Sequence, residues 1–518
     1  MKTIAAVLAV AALTAPVFAQ GRGGRGAFGA PAQAAEAATP ANPAAPAAHV
    51  EDKTSATKHS IEIGGQTIAY TATAGTLTLR KEDGTATASI FYVAYTKDGV
   101  TDLAARPITF SFNGGPGSSS VWLQLGALGP KRVAMDPEGN ALPPPSKLVD
   151  NEYSILDLTD LVFIDPVSTG YSRAVPESTA ANFHGYTSDI QSVGDFIRLY
   201  ATKNTRWASP KFLAGESYGT TRAAGLSGYL HDTVGMDLNG IVLISSVLNF
   251  GAISFDNGND LPYVTFLPTY AATAWYHKKL AKDLEAEPLE KVADEARKYA
   301  EGPYLAALFK GDTLTADERA AVVKNVARLT GLSPQFVDES NLRVSMQRFA
   351  KELLRDQRKT VGRYDGRMLG EDRDAAGATP DYDPSYASVQ GPFTAAMNQY
   401  MRTELKFDED MPYEILTDRV NPWSYREFQN RYVNAAETLR EAMTQNPALR
   451  VYVACGYYDM ATPFFSAEYT FDHMMLDPKL RNHVTFGYYE AGHMIYTQLK
   501  SLEKAKGEIS KFMNAALK

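Results

Sequence analysis

A series of short apolar runs, separated by helix-like stretches, constrains this chain most. The runs are ITFSF (Ile108 to Phe112), LVFI (Leu161 to Ile164), FLA (Phe212 to Ala214), IVLI (Ile241 to Ile244), VYVAC (Val451 to Cys455) and VTFGYY (Val484 to Tyr489). Each is of strand length, and most are rich in β-branched or aromatic residues. Between them stand stretches such as Ser188 to Lys203 and Tyr425 to Thr444, which read as helices. Strands alternating with helices imply a parallel sheet covered by helices, an α/β fold. Ahead of them, residues Ile61 to Tyr95 alternate polar with apolar positions, and Asp83-Gly84 is a hairpin turn signal.

One region breaks the alternation. From about Tyr270 to Glu404 the pattern is mostly helical and rich in Lys, Arg and Glu, with no convincing strand. Thr315-Ala316-Asp317-Glu318 reads as a capping box before AAVVKNVARL. The expectation is a core over 58–255 and 425–518, split by a helical cap insertion over 256–424.

The N-terminus has the layout of a signal peptide over 1–19. One Lys precedes an apolar run from Ile4 to about Leu13, and Val17-Phe18-Ala19 is a small-residue cleavage pattern. That run is shorter than the ~20 residues a spanning helix needs, and no later segment is long and apolar enough to span a membrane. The expected location is therefore exported, periplasmic or secreted. Residues 20–57 read as a linker, because Pro31, Pro40, Pro43 and Pro46 interrupt an Ala-rich stretch.

Charge and cysteine count remove several function classes. Lys plus Arg is 51 and Asp plus Glu is 59 in 518 residues, a formal charge of −8. That balance argues against an electrostatic nucleic-acid partner. A single cysteine, Cys455, excludes an intrachain disulfide and a multi-cysteine metal site. Within an apolar strand it reads as a small buried residue.

The chemistry concentrates at strand ends. Gly215-Glu216-Ser217-Tyr218-Gly219 follows the FLA run and precedes the helix-like TTRAAGLSGYL. A G-x-S-x-G between strand and helix is a nucleophile elbow, whose glycines permit the sharp turn that lifts the Ser hydroxyl out of the sheet. Such a Ser needs a base oriented by a carboxylate, in the chain order Ser, Asp, His. Asp459 lies just past VYVAC, and His493 lies on the loop after VTFGYY. His473, in a helix-like stretch, and His483, ahead of its strand, are worse placed. Ser217, Asp459 and His493 are the candidate catalytic set on an α/β-hydrolase fold with a mostly parallel central sheet.

A second loop, Asn113-Gly114-Gly115-Pro116-Gly117, follows ITFSF. Acyl transfer needs backbone N–H groups aimed at the developing oxyanion. One comes from the residue after the nucleophile, Tyr218, and another from a Gly-rich loop such as this. With no G-x-G-x-x-G and no G-K-S/T here, a nucleotide site is disfavoured.

Together NGGPGSSS, GESYG, DMATP and Gly492-His493-Met494 resemble the serine carboxypeptidase family over roughly residues 108–500. IDPVSTGYS (Ile164 to Ser172) is similar to a further family motif, one residue shorter between Asp and Pro. The resemblance implies an α/β-hydrolase with a helical cap that releases residues from peptides with a free C-terminal carboxylate. It implies an oxyanion hole from the N–H groups of Gly115 and Tyr218. It also implies carboxylate binding by Asn113, the Gly114 backbone and Glu216. Glu216 must be protonated to donate to that carboxylate, so the implied activity favours acidic pH. The mechanism requires no cofactor and no metal.

Three departures stand out. Ser118 and Ser111 occupy places where the family has Cys and Trp. Ala127 stands where the family has a Glu that pairs with the one beside the nucleophile. Alternatives on the same core stay open: an esterase, an acyltransferase, a prolyl aminopeptidase or a non-catalytic binding protein. Side-chain preference and oligomeric state are not legible.

Overall fold

The computed structural model describes residues 50–518; the signal peptide and most of the linker expectation lie outside the described residues. The first strand, β1 (Thr54–Ile63), begins inside the segment expected to be linker up to 57. It pairs in register along its whole length with β2 (Gln66–Arg80). That pairing orders residues whose polarity alone reads as linker. A turn containing Asp83-Gly84, with Gly84 at φ 84°, leads into β3 (Ala86–Lys97).

The runs that alternate with helices form the rest of the sheet: β4 (Ile108–Phe112), β5 (Asp160–Ile164), β6 (Lys211–Glu216), β7 (Gly240–Ile244), β8 (Arg450–Gly456) and β9 (Val484–Tyr489). The spatial order is β1-β2-β3-β5-β4-β6-β7-β8-β9. The pairs from β5 to β9 are parallel, and the first three strands join them antiparallel.

Alternate residues of each parallel strand feed two cores. Phe110, Val162, Leu213, Leu243 and Val453 face one way, where they pack with α1 (Tyr186–Lys203) and α2 (Tyr218–Tyr229). Phe163, Phe212, Val242, Tyr452 and Ala454 face the other. Burial on both faces explains why these strands read as continuous apolar runs. This is an α/β-hydrolase fold.

The insertion holds α3 (Leu261–Tyr276), α4 (Leu289–Tyr299), α5 (Ala316–Thr330) and α6 (Pro384–Thr403). Its first part has its own core, with Leu267, Val292, Val326 and Phe349 together. The Thr315–Glu318 capping box is formed in both directions. Two findings differ from the sequence expectation. A short antiparallel strand pair, Thr360–Val361 with Leu369–Gly370, lies within the insertion. Helix α6 buries Val389, Phe393, Met397 and Tyr400 in the cluster on the sheet, not in the cap core.

The helix expected over Tyr425 to Thr444 is also corrected. Only α7 (Ala436–Gln445) and one short turn form there. Asn430 takes φ 64°, and the backbone of Phe250 and Ala435 hydrogen-bonds across this segment to Val433 and Leu248. Tertiary hydrogen bonds thus override a helical pattern. Helix α8 (Leu499–Ala516) closes the chain against the sheet with Leu502, Ile509 and Phe512.

Candidate active site

The elbow forms as its glycines require. Ser217 sits between β6 and α2 at φ 58°, ψ −131°, a conformation few non-glycine residues adopt. A Cβ on Gly215 would lie 2.3 Å from the Gly219 carbonyl oxygen, and one on Gly219 would lie 2.8 Å from that of Phe112. Neither position tolerates a side chain, so the turn can tighten only with Gly at both.

Behind Ser217, His493 Nδ1 lies 2.9 Å from Asp459 Oδ2. Asp459 is fully buried, and its Oδ1 accepts the backbone N–H groups of Ala461 and Thr462 at 2.8 and 2.9 Å. The Thr462 hydroxyl donates to Asp459 Oδ2 at 2.8 Å. The carboxylate is therefore held in one orientation. Burial pushes the His493 imidazole down, but the Asp459 charge and hydrogen bond, helped by Glu216, raise its pKa above the ordinary value. Ser217 Oγ makes no hydrogen bond to His493 in this structure; such bonds commonly tighten only around substrate.

Asn113, Gly114, Gly115, Glu216, Ser217 and His493 line one cavity. The loop after β4 reaches the elbow directly: a Cβ on Gly114 would lie 2.4 Å from the Tyr218 nitrogen. Gly115 takes φ 102°. The Tyr218 N–H opens α2 and so has no partner within that helix. Of the eight candidate residues, six line this cavity; Asp459 and Tyr218 adjoin it through His493 and Gly114.

Asn113 Nδ2, Glu216 Oε2 and Tyr496 Oη are buried together without a well-formed hydrogen bond, yet near enough for Asn113 and Tyr496 to act on the Glu216 carboxyl. Asn113 is oriented by the Leu123 N–H donating to its Oδ1 at 3.0 Å, which leaves its amide N–H group on the side of Glu216 and Tyr496. Burial raises the Glu216 carboxyl to about 7; His493, Tyr496 and Asn113 hold it from rising further. A protonated Glu216 and the Asn113 amide are both donors, a pair suited to a carboxylate.

Several residues here were missed by sequence reasoning. Tyr364 of the insertion stacks on His493 and lends its backbone carbonyl to the His493 N–H. Tyr496 packs over Gly126, next to Ala127, and its hydroxyl comes beside Glu216. Arg222, fully buried on α2, donates to Asp189 Oδ2 at 2.7 Å and to the Asn113 carbonyl at 2.6 Å. An Arg one turn after an elbow Ser was the only sequence signal available for it. His473 caps a helix end and His483 lies before β9, both away from this cavity.

The profile of the serine carboxypeptidase family matches residues 65–508. No curated protein matches the chain. Among solved structures, it is similar to the prohormone-processing carboxypeptidase Kex1 of Saccharomyces cerevisiae. That match has a TM-score of 0.53 at 17% identity, covering 86% of this chain and 91% of the other. It is also similar to a proline iminopeptidase of Mycobacterium smegmatis, at a TM-score of 0.34 and 13% identity, covering 85% and 98%. The family match extends across β2 to β9 and the insertion, and it takes in both the elbow and the histidine loop: this chain belongs to the serine carboxypeptidase family.

Proposed function

We propose that this protein removes single residues from peptide C-termini through an acyl-enzyme on Ser217. The observation that carries the reading is the Asp459–His493 pair at 2.9 Å behind the strained Ser217 turn, beside an Asn113–Glu216 donor pair. His493 takes the Ser217 proton as the hydroxyl attacks the last peptide carbonyl. Asp459 orients the imidazole and stabilises its cationic form. The N–H groups of Gly115 and Tyr218 receive the oxyanion. Collapse of the tetrahedral species breaks the C–N bond, and His493 returns the proton to the departing amine. Water then attacks the ester, releases the shortened peptide and restores Ser217.

Asn113, the Gly114 backbone and protonated Glu216 would hold the terminal carboxylate and so restrict cleavage to the chain end. The test is mass spectrometry of a free peptide over time. Stepwise loss from the C-terminus that Ser217→Ala abolishes supports the reading. Internal cleavage, N-terminal cleavage or retained activity in Ser217→Ala overturns it.

A further inference from the structure

The insertion delivers a loop, residues 363–366, into the active site, and its backbone is tied to both catalytic loops. The Met460 N–H, next to Asp459, donates to the Arg363 carbonyl at 3.1 Å, and the His493 N–H donates to the Tyr364 carbonyl. The Gly366 N–H donates to the Tyr458 carbonyl at 2.9 Å. On its other side, the Arg363 N–H donates to Asp383 Oδ1 at 3.0 Å. Arg363 is therefore fixed by its main chain while its side chain lines the same cavity as Ser217 and Glu216.

Its guanidinium lies over the Tyr364 ring, 5.3 Å from the centroid, and its charge reaches His493. Among the described residues it has no ion-pair partner. The acidic neighbours are committed elsewhere. Asp383 accepts the backbone N–H groups of Arg363, Tyr364 and Ser385. Asp365 is paired with Arg367 at 2.6 Å. An unpaired guanidinium, exposed on a backbone-anchored loop and lining a cavity that also holds an acid, is an arrangement for binding an anion.

We propose that Arg363 is a specificity residue that binds a carboxylate of the substrate beside Ser217. The carboxylate has two sources, the terminal α-carboxylate and the side chain of a C-terminal Asp or Glu. The proposal deepens the carboxypeptidase reading, and its test is by binding so that it does not depend on turnover.

The full-length protein carrying Ser217→Ala is titrated with acetyl-Ala-Phe-Leu as free acid, the same peptide as C-terminal amide, and acetyl-Ala-Phe-Glu amide. The expected result is that a carboxylate peptide binds about tenfold more tightly than the Leu amide, as for other charge pairs. Adding Arg363→Gln narrows one of the two gaps, while Arg363→Lys keeps most of it; the part of the α-carboxylate contact held by Asn113 and Glu216 persists. Narrowing of the free-acid gap assigns the α-carboxylate, and narrowing of the Glu gap assigns the side chain. Absence of any gap, or gaps that Arg363→Gln leaves unchanged, overturns the proposal. Whether the unsubstituted protein shortens peptides from the C-terminus is read separately, so failure of the carboxypeptidase reading is distinguishable.

Discussion

The ring of Tyr364 lies against the imidazole of His493, with centroids 5.0 Å apart and planes inclined by 16°. One residue comes from the insertion and the other from the last loop of the sheet, so the cap is part of the histidine's support. Such ring pairs contribute about 0.5–1.5 kcal/mol beyond buried area. Tyr364→Ala is therefore expected to lower kcat by roughly tenfold on peptides and on a nitrophenyl ester alike, since the ester needs His493 too. Tyr364→Phe keeps the ring and is expected to stay within about twofold. Equal rates in Tyr364→Ala and the parent protein would show the stack to be idle.

On the proposed mechanism, the acid beside Ser217 sets the pH profile. Glu216 can donate to a substrate carboxylate only while protonated, below about 7. His493 can act as a base only while neutral, above its raised pKa. Peptide kcat/KM is thus expected to rise as His493 loses its proton and to fall as Glu216 ionises. Glu216→Gln should remove the alkaline fall. An ester without a free carboxylate should lack the Glu216 limb. Profiles of the two substrates measured in both proteins check this.

The same residue costs stability. Its pKa in the fold, about 7, stands above the ordinary 4.5. A raised acid contributes fully below 4.5 and loses its contribution as pH rises toward 7. At pH 8 the penalty is about 3 kcal/mol. Glu216→Gln should be the more stable protein at pH 8 and close to parity at pH 4, by denaturant melts. A gap constant across pH would show that Glu216 is not the group titrating.

What the sequence made legible is chemistry local in the chain. The elbow, the Gly-rich loop and the Asp and His loops each follow a strand, so strand ends and motif order were enough to bring Ser217, Asp459 and His493 together. Tyr364, Arg363 and Tyr496 were not legible, because their approach depends on how the insertion and the last loop pack over the sheet. Arg222 looked like any helical Arg, although it is buried against Phe112 and Tyr218 with its carbon Cζ 5.3 Å from each ring. The missing family Glu at Ala127 is read differently with Tyr496 in view, since a phenol hydroxyl stands beside Glu216.

The Arg222–Asp189 pair is expected to be both structural and positional. Both groups are buried, at 0% and 2% exposure. Removing one partner of such a pair costs about 3–5 kcal/mol. Arg222→Met should lower stability by that order. It should also release the Asn113 carbonyl and so raise KM for peptides more than it changes kcat on an ester. Arg222→Lys, which keeps the charge but not the fork, should recover stability more than KM. Parallel loss on both substrates would reduce the pair to a structural role.

Two glycines separate a positional demand from a conformational cost. A Cβ on Gly492 would lie 2.3 Å from the Tyr364 carbonyl oxygen and 2.5 Å from Asp365 Cβ. The first is a main-chain atom already engaged by the His493 N–H, so no flexible group can yield. Gly492→Ala must push the histidine loop from the insertion, and a displacement near 1 Å costs about 100-fold in rate. Gly507 lies in α8 with nothing within 4 Å of its added Cβ. Gly507→Ala should stabilise by about 0.5–1 kcal/mol, the helical penalty of glycine, with activity unchanged. Measured side by side, a rate loss confined to Gly492→Ala would tie catalysis to the contact between insertion and histidine loop. Normal activity in Gly492→Ala would show that the loop can shift without moving the imidazole.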